Sequence, residues 1–156
     1  MTDQQRRART LAMDDRELAE FLRAERTCRV ATMSGDGPRA TPLWFLWDGS
    51  ALWLSSLVRS KRHSDLRDDP RIAVVVDAGH GFTELRGAEI IGDAAVVGES
   101  PRIGTPDTRL DPMEQEYAAK YLDGDVAELH AGTHAWVCVT PRKIVSWDFR
   151  KLGNRG

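Results

Sequence analysis

The sequence is short of most features that would reveal its chemistry at sight. Of its 156 residues only two are cysteines, Cys28 and Cys138, and both sit in apolar runs with no CxxC pair. That excludes a multi-bridge disulfide framework and fits reduced, buried thiols, as expected of a cytoplasmic protein. No stretch approaches about twenty consecutive apolar residues, so a transmembrane helix is excluded. The segment "MTDQQRRARTLAM" is basic but lacks the apolar core of a signal peptide. A dominant charge is missing as well: 22 Lys and Arg stand against 24 Asp and Glu, a net charge of -2. Proteins that neutralise phosphates along a duplex carry a clear basic excess. Any anion site is therefore local, and neither nucleic acid nor a membrane is an expected partner.

The common catalytic signatures are also absent. There is no GxGxxG, no P-loop and no GxSxG elbow. "HAGTHAWVC" spaces His130, His134 and Cys138 by four, a zinc-like pattern on a helix. Gly132 and the residues that follow argue instead for a strand over 134–140, with His130 left in a loop and no sensible fourth ligand; no metal is expected. Glu114 and Glu116, two positions apart on a predicted helix, point different ways and are expected to be solvated. No side chain is singled out as a catalytic acid or base.

What is present reads as strands joined by short turns. "DDRELAEFLRAE" (14–25) predicts a helix capped by Asp14 and Glu17. Strands are predicted at 28–33, 39–47, 51–56 and 71–78, with residues 82–99 forming two strands or one long strand broken near Gly92. The last two strands, 134–140 and 143–149, meet at Pro141-Arg142. Pro42 has no N–H for a ladder and predicts an edge or an opened pairing. A further helix is predicted to open at Asp111, with Pro112 at its first position and Glu114 completing the cap. Without βαβ alternation, the fold class expected is mainly β (α+β), an antiparallel barrel with peripheral helices. One domain covers 13–156, preceded by a flexible arm at 1–12. The five tryptophans, Trp44, Trp47, Trp53, Trp136 and Trp147, all fall in predicted strands, where they serve either packing or a planar-ligand slot.

The most charged stretch is "LVRSKRHSDLRDDPR" (57–71). A short helix over 61–68, ended by Pro70, would start at Ser60. Its free N–H groups, Ser55, Ser56 and Ser60, and the cations Arg59, Lys61 and Arg62 could cradle a phosphate. The same residues could equally form a solvated, salt-bridged face, with Lys61 paired to Asp65 and Arg67 or Arg71 to Asp68 and Asp69.

From about Met13 to Gly153 the chain resembles the pyridoxamine-phosphate-oxidase-like split β-barrel family, in particular its actinobacterial flavin and deazaflavin oxidoreductase branch. The residues that carry the likeness are "RVATMSGDGPRATPLWFLWDG", "ALWLSSLVRSKRHSDLRDDPRIAVVVD", "FTELRGAEIIGDAAVV" and "KIVSWDFRKLG". The resemblance implies a homodimer with two cofactor sites at its interface. Thr41, Pro42, Leu43 and Trp44 would line the edge of the cofactor ring, with Arg39 at the start of that strand. Ser55, Ser56, Ser60, Lys61 and Arg62 would hold the phosphate; relatives often carry lysine where this chain has Arg62. Phe82 matches a position where relatives place an aromatic near the ring bound to the other subunit. The spread of cations (Arg39, Arg59, Lys61, Arg62) suits the long anionic tail of coenzyme F420 better than the terminal phosphate of FMN. The activity expected is F420-dependent hydride transfer to a small electrophilic organic molecule. An FMN-dependent oxidase or reductase is the alternative, and a non-enzymatic flavin or haem carrier a second one.

Overall fold

The computed structural model describes residues 8–153. The expected arm at 1–12 lies mostly outside the described residues; residues 8–11 are helical, and Ala12 offers its carbonyl oxygen to Lys151 Nζ at 2.8 Å. Helix α1 (Asp15–Ala24) starts as its sequence predicts. The Asp14 carboxylate accepts from the Glu17 N–H and the Glu17 carboxylate accepts from the Asp14 N–H, a reciprocal cap. Phe21 and Leu22 are its buried face.

Strands β1 (Cys28–Ser34) and β2 (Gly37–Leu43) form a hairpin, after which the chain leaves the ladder at Trp44 and Phe45. It re-enters as β3 (Leu46–Trp47), pairs with β4 (Leu52–Leu57), and turns into helix α2 (Lys61–Asp68). Next come β5 (Arg71–Ala78), β6 (Arg86–Val97), helix α3 (Leu110–Tyr121) and β7 (His134–Asp148). All pairings are antiparallel, in the order β2-β1-β5-β6-β7-β4-β3. The expected strand over 39–47 is thus two strands. Pro42 does lie on an edge strand, and the opening comes two residues after it.

That order has a geometric consequence. β2 and β3 are the two outer edges of one sheet, yet only Trp44 and Phe45 separate them in sequence. A two-residue link spans on the order of 10 Å at most, so the edges must approach each other there, which curls the sheet into a barrel with one open seam. Tyr121 of α3 closes the seam. Its hydroxyl accepts from the Phe45 N–H at 3.2 Å and lies 2.8 Å from the carbonyl oxygens of both Arg26 and Phe45. Trp44, pushed out of the ladder, stacks on the Tyr121 ring at 4.6 Å and 10°.

β6 and β7 are single long strands rather than pairs. The expected break near Gly92 is a bulge: Ile91 pairs with Lys143 and Gly92 with Pro141, leaving Arg142 as the extra residue. Only glycine fits at position 92, because a Cβ there would meet the Thr140 carbonyl oxygen at 2.2 Å.

Two apolar clusters result. Inside the barrel lie Val30, Leu52, Leu54, Val74, Val76, Ile90, Val137 and Val139, capped by Phe21 and Leu22 of α1. On the outer face, Trp53, Trp136 and Cys138 pack under Leu110, Met113 and Tyr117 of α3. Cys28 belongs to the first cluster and Cys138 to the second, and both are free thiols. Burial pushes the Cys28 thiol up to about 12, which suits a packing residue rather than a nucleophile. No helix of the described residues is long and apolar enough to cross a membrane.

Two predictions test this account. Replacing Tyr121 by Phe keeps the stack on Trp44 but removes the seam hydroxyl, and should cost about 1–3 kcal/mol in urea unfolding. Asp48 sets an acid limit. Burial works against its charge, but the Trp53 indole N–H and the N–H groups of Ala51 and Ser50 prevail and hold its carboxyl below the ordinary range. A depressed pKa contributes stability above the unfolded value that is lost as pH falls through the folded one. Asp48→Asn should therefore flatten the decline of stability below about pH 4, measured by chemical unfolding at a series of pH values.

Candidate functional site

β2 presents Arg39, Thr41 and Leu43 on one face, since alternate residues of a strand point the same way. At the seam, Leu43 and Trp44 meet Ser55 of β4, His134 of β7, Tyr117 of α3, and the segment holding Leu122, Glu128 and Leu129. Together they line a cleft of about 270 Å³. Ser55 and His134 share a side of the sheet, through the pairs Ser55↔Trp136 and Leu57↔His134. Trp44 is 46% exposed, an unusual value for an indole, and supplies an aromatic wall.

The residues expected to hold phosphate divide into two groups. Ser55 faces the cleft, whereas Ser56 points inward and is buried. Ser56 Oγ lies 3.1 Å from His63 Nδ1, and Ser60 Oγ accepts from the His63 N–H and caps α2. Burial, followed by Arg67 and Arg62, holds the His63 imidazole below its ordinary value. Both hydroxyls thus meet His63 at the start of α2. Lys61 is paired with Asp65, as the salt-bridge alternative expects, and Arg71 with Asp69. The second oxygen of buried Asp65 has no hydrogen-bond partner among the described residues.

Arg62 differs. It is half-buried, its Nη1 donates to Thr41 Oγ1 at 3.1 Å, and among the described residues no carboxylate pairs with it. Burial pushes its guanidinium down from the ordinary value, but a guanidinium remains charged at physiological pH. Arg39 is exposed two positions from Thr41 on the same face. Arg62, Thr41 and Arg39 thus form a cationic corner one strand-step from Leu43 and the cleft. A half-buried cation without a carboxylate invites an anion. Phe82 lies elsewhere within this chain, 68% exposed and 5.1 Å from the Phe149 ring.

Several cleft residues were not singled out by the sequence reading: Tyr117, Leu122, Glu128, Leu129, and His134 in this role. The signal existed for one of them. The chain's two tyrosines, Tyr117 and Tyr121, stand four apart and so share a helix face.

Glu114 corrects the expectation of a solvated, capping carboxylate. It is fully buried and accepts from Arg102 Nε at 2.6 Å and from the Trp136 indole N–H at 3.0 Å, while His130 Nε2 lies 2.6 Å away. Arg102, equally buried, also reaches Glu99 and Asp111. The cap falls to Asp107, whose carboxylate accepts from the N–H groups of Arg109 and Leu110, and α3 begins at Leu110, one residue before the expected start. This cluster ties the 99–111 loop to α3 and β7 beneath the cleft. Among the described residues there is no group of three or more side chains able to hold a metal ion.

A seven-stranded antiparallel sheet, curled and open along one seam, with helices on its periphery, defines a split β-barrel. The family model described as pyridoxamine 5'-phosphate oxidase matches residues 14–148, and the chain belongs to that family. Among solved structures it is similar to the conserved hypothetical protein Rv2991 from Mycobacterium tuberculosis, at 28% identity over 94% of this chain and 92% of that one, with a TM-score of 0.79. It shares the fold of a protein described as an F420 reductase, at 21% identity over 80% and 93% of the two chains and a TM-score of 0.60. It also shares that of HutZ, a haem storage protein from Vibrio cholerae, at 12% identity over 84% and 93% and a TM-score of 0.68. Among curated proteins none matches.

Glu114→Gln should destabilise the protein toward the lower end of about 3–5 kcal/mol, because Glu99 and Asp111 still partly compensate Arg102. Guanidinium unfolding measures the loss.

Proposed function

We propose that this protein is a cofactor-dependent oxidoreductase that uses coenzyme F420 to reduce a small electrophilic organic molecule, working as a homodimer. The observation that carries the reading is the half-buried Arg62, without a carboxylate partner among the described residues and bonded to Thr41, next to an aromatic-walled cleft. The arrangement fits a flavin-type molecule. A phosphoryl group would lie at Arg62, Thr41 and Arg39, and the ring at Leu43 and Trp44. Thr41 and Leu43 are about 7 Å apart along the strand, comparable with an extended ribityl chain. The relative described as an F420 reductase adds weight to this choice of cofactor. So do the cations Arg39, Arg59 and Arg62, which have no carboxylate partner among the described residues and suit a tail longer and more anionic than a single phosphate.

When bound, the reduced deazaflavin supplies a hydride equivalent to an electrophilic carbon. The chain's own residues do the rest. Arg62 and Thr41 bind the phosphoryl oxygens by charge-assisted hydrogen bonds. Leu43 and Trp44 fix the ring plane, and Leu122 and Leu129 keep water from its edge. His134 and Glu128 line the cleft beside Tyr117, whose phenol burial pushes well above its ordinary value and so keeps protonated. The His134 ring is oriented by Thr133 Oγ1, 2.8 Å from its Nδ1. Ser56 and Ser60 act indirectly, by fixing the start of α2 from which Arg62 projects. Phe82 would meet the cofactor only across a dimer interface.

Titration of the apo protein with F420 and with FMN separately, followed by quenching of tryptophan fluorescence, tests the reading. F420 should bind at micromolar concentration or tighter, and more tightly than FMN. Arg62→Gln should weaken F420 binding roughly tenfold or more, the loss of a charged hydrogen-bonding group, with thermal stability retained. Tighter binding of FMN would favour the FMN-dependent alternative. Absence of binding by either would remove the proposal.

A further inference from the structure

A second cleft, of about 470 Å³, opens between α1 and α3 and is separate from the Arg62 corner. It is lined by Arg23, Leu46, Trp47, Asp48, Glu116 and Lys120, among others. Lys120 is placed unlike the chain's other lysines, of which there are three. Lys61 is paired with Asp65, Lys151 with Glu17, and Lys143 is exposed on β7. Lys120 is half-buried and, among the described residues, has no carboxylate partner. Its Nζ donates to the Leu22 carbonyl oxygen at 3.3 Å and lies 4.3 Å from the centre of the Phe45 ring and 5.2 Å from that of Tyr121. Arg26 closes the other side, with Nη1 bonded to the Lys120 carbonyl oxygen at 2.9 Å and its guanidinium over the Tyr121 ring. Arg23, on the α1 wall of the cleft, likewise has no carboxylate partner among the described residues.

We propose that Lys120 is an acylation site, whose amine takes the acyl group from a small acyl phosphate seated in this cleft with its phosphate on Arg23. The Nζ lone pair attacks the acyl carbon and an N–C bond forms. The C–O bond to phosphorus-bound oxygen breaks, inorganic phosphate leaves with the electron pair, and the displaced amine proton passes to solvent. Two features activate the amine. Burial disfavours the ammonium form, and the Arg26 charge adds to the effect; Cys28 and Glu25 oppose it, and the sum lowers Lys120 to about 8. Asp48 and Glu116 face the same cleft from the β3–β4 turn and from α3, far enough from Nζ to form no ion pair. The product amide is neutral. It cannot keep the cation over the Phe45 and Tyr121 rings, so acylation acts on the residues that close the barrel seam.

The test uses the whole protein and acetyl phosphate, with mass-spectrometric quantitation at Lys61, Lys120, Lys143 and Lys151. At pH 8 about half of the Lys120 amines are free base, against less than about 1% for an ordinary lysine. Lower intrinsic nucleophilicity takes back part of that advantage. Lys120 should react roughly tenfold faster than Lys143, and its rate should level off above about pH 8 while that of Lys143 climbs through pH 10. Lys120→Arg should abolish the fast event and leave the other sites unchanged. Arg23→Gln should slow the reaction with acetyl phosphate several-fold but not that with the uncharged N-acetoxysuccinimide. Equal rates at Lys120 and Lys143, or a Lys120 rate with no plateau, would overturn the proposal. An Arg23→Gln variant that treats both reagents alike would overturn the role given to the cleft.

Discussion

Two residues, Trp44 and Phe45, connect one edge of the sheet directly to the other, and the rest of the architecture follows from that shortness. An open seven-stranded sheet could remain splayed if its edges were joined by a long loop; here the connection draws them together at one end and leaves them apart at the other. The residues expelled from the ladder at the junction are not wasted. The Phe45 ring is buried in the barrel while its backbone N–H meets Tyr121, and the Trp44 indole becomes a wall of the cleft. Barrel closure and the aromatic surface beside it have a single cause.

Cations of similar type do different work according to what surrounds them. Arg102 is buried among three carboxylates and holds a loop. Lys61 has its charge taken by Asp65. Arg62, one residue later, faces a threonine hydroxyl and, among the described residues, no carboxylate. Opposite charges so close to Arg102 leave no room there for an exogenous anion, whereas the desolvation already borne by Arg62 lowers the cost of receiving one. Net charge, which is close to balance, conceals this division completely.

Much of the fold could be read in the sequence because short-range chemistry decides it. The Asp14–Glu17 cap, the Ser60 start of α2 and the edge character of the strand carrying Pro42 all rest on local rules, and the structure has them where expected. So does the break near Gly92, although it proved to be a bulge in a continuous pairing. The site was less legible. Alternation along β4 separates Ser55 from Ser56, but which of the two meets the cleft depends on how the barrel curls. Glu114 looked like a cap because its spacing from Asp111 is that of one; its true partner, Arg102, lies twelve residues away across a loop without periodicity. Tyr121 reaches Phe45 over a separation of 76 residues, and no window of sequence contains both.

The unmatched Arg142 changes the phase of β7. Before it, odd-numbered residues, Val137 and Val139, face the barrel interior. After it, the partners of the inward-facing Ile90 and Ala88 are the even-numbered Ile144 and Ser146. One continuous strand therefore switches parity midway without a turn, and its distal half can meet Met13 through Ser146 while its proximal half fills the core. The face of each distal residue is thus set by its partner on β6 and not by its count from the start of β7: Lys143 opposite Ile91 and Ile144 opposite Ile90 are the pairings a regular ladder would give without Arg142, so the bulge takes up one residue and leaves the orientation downstream intact.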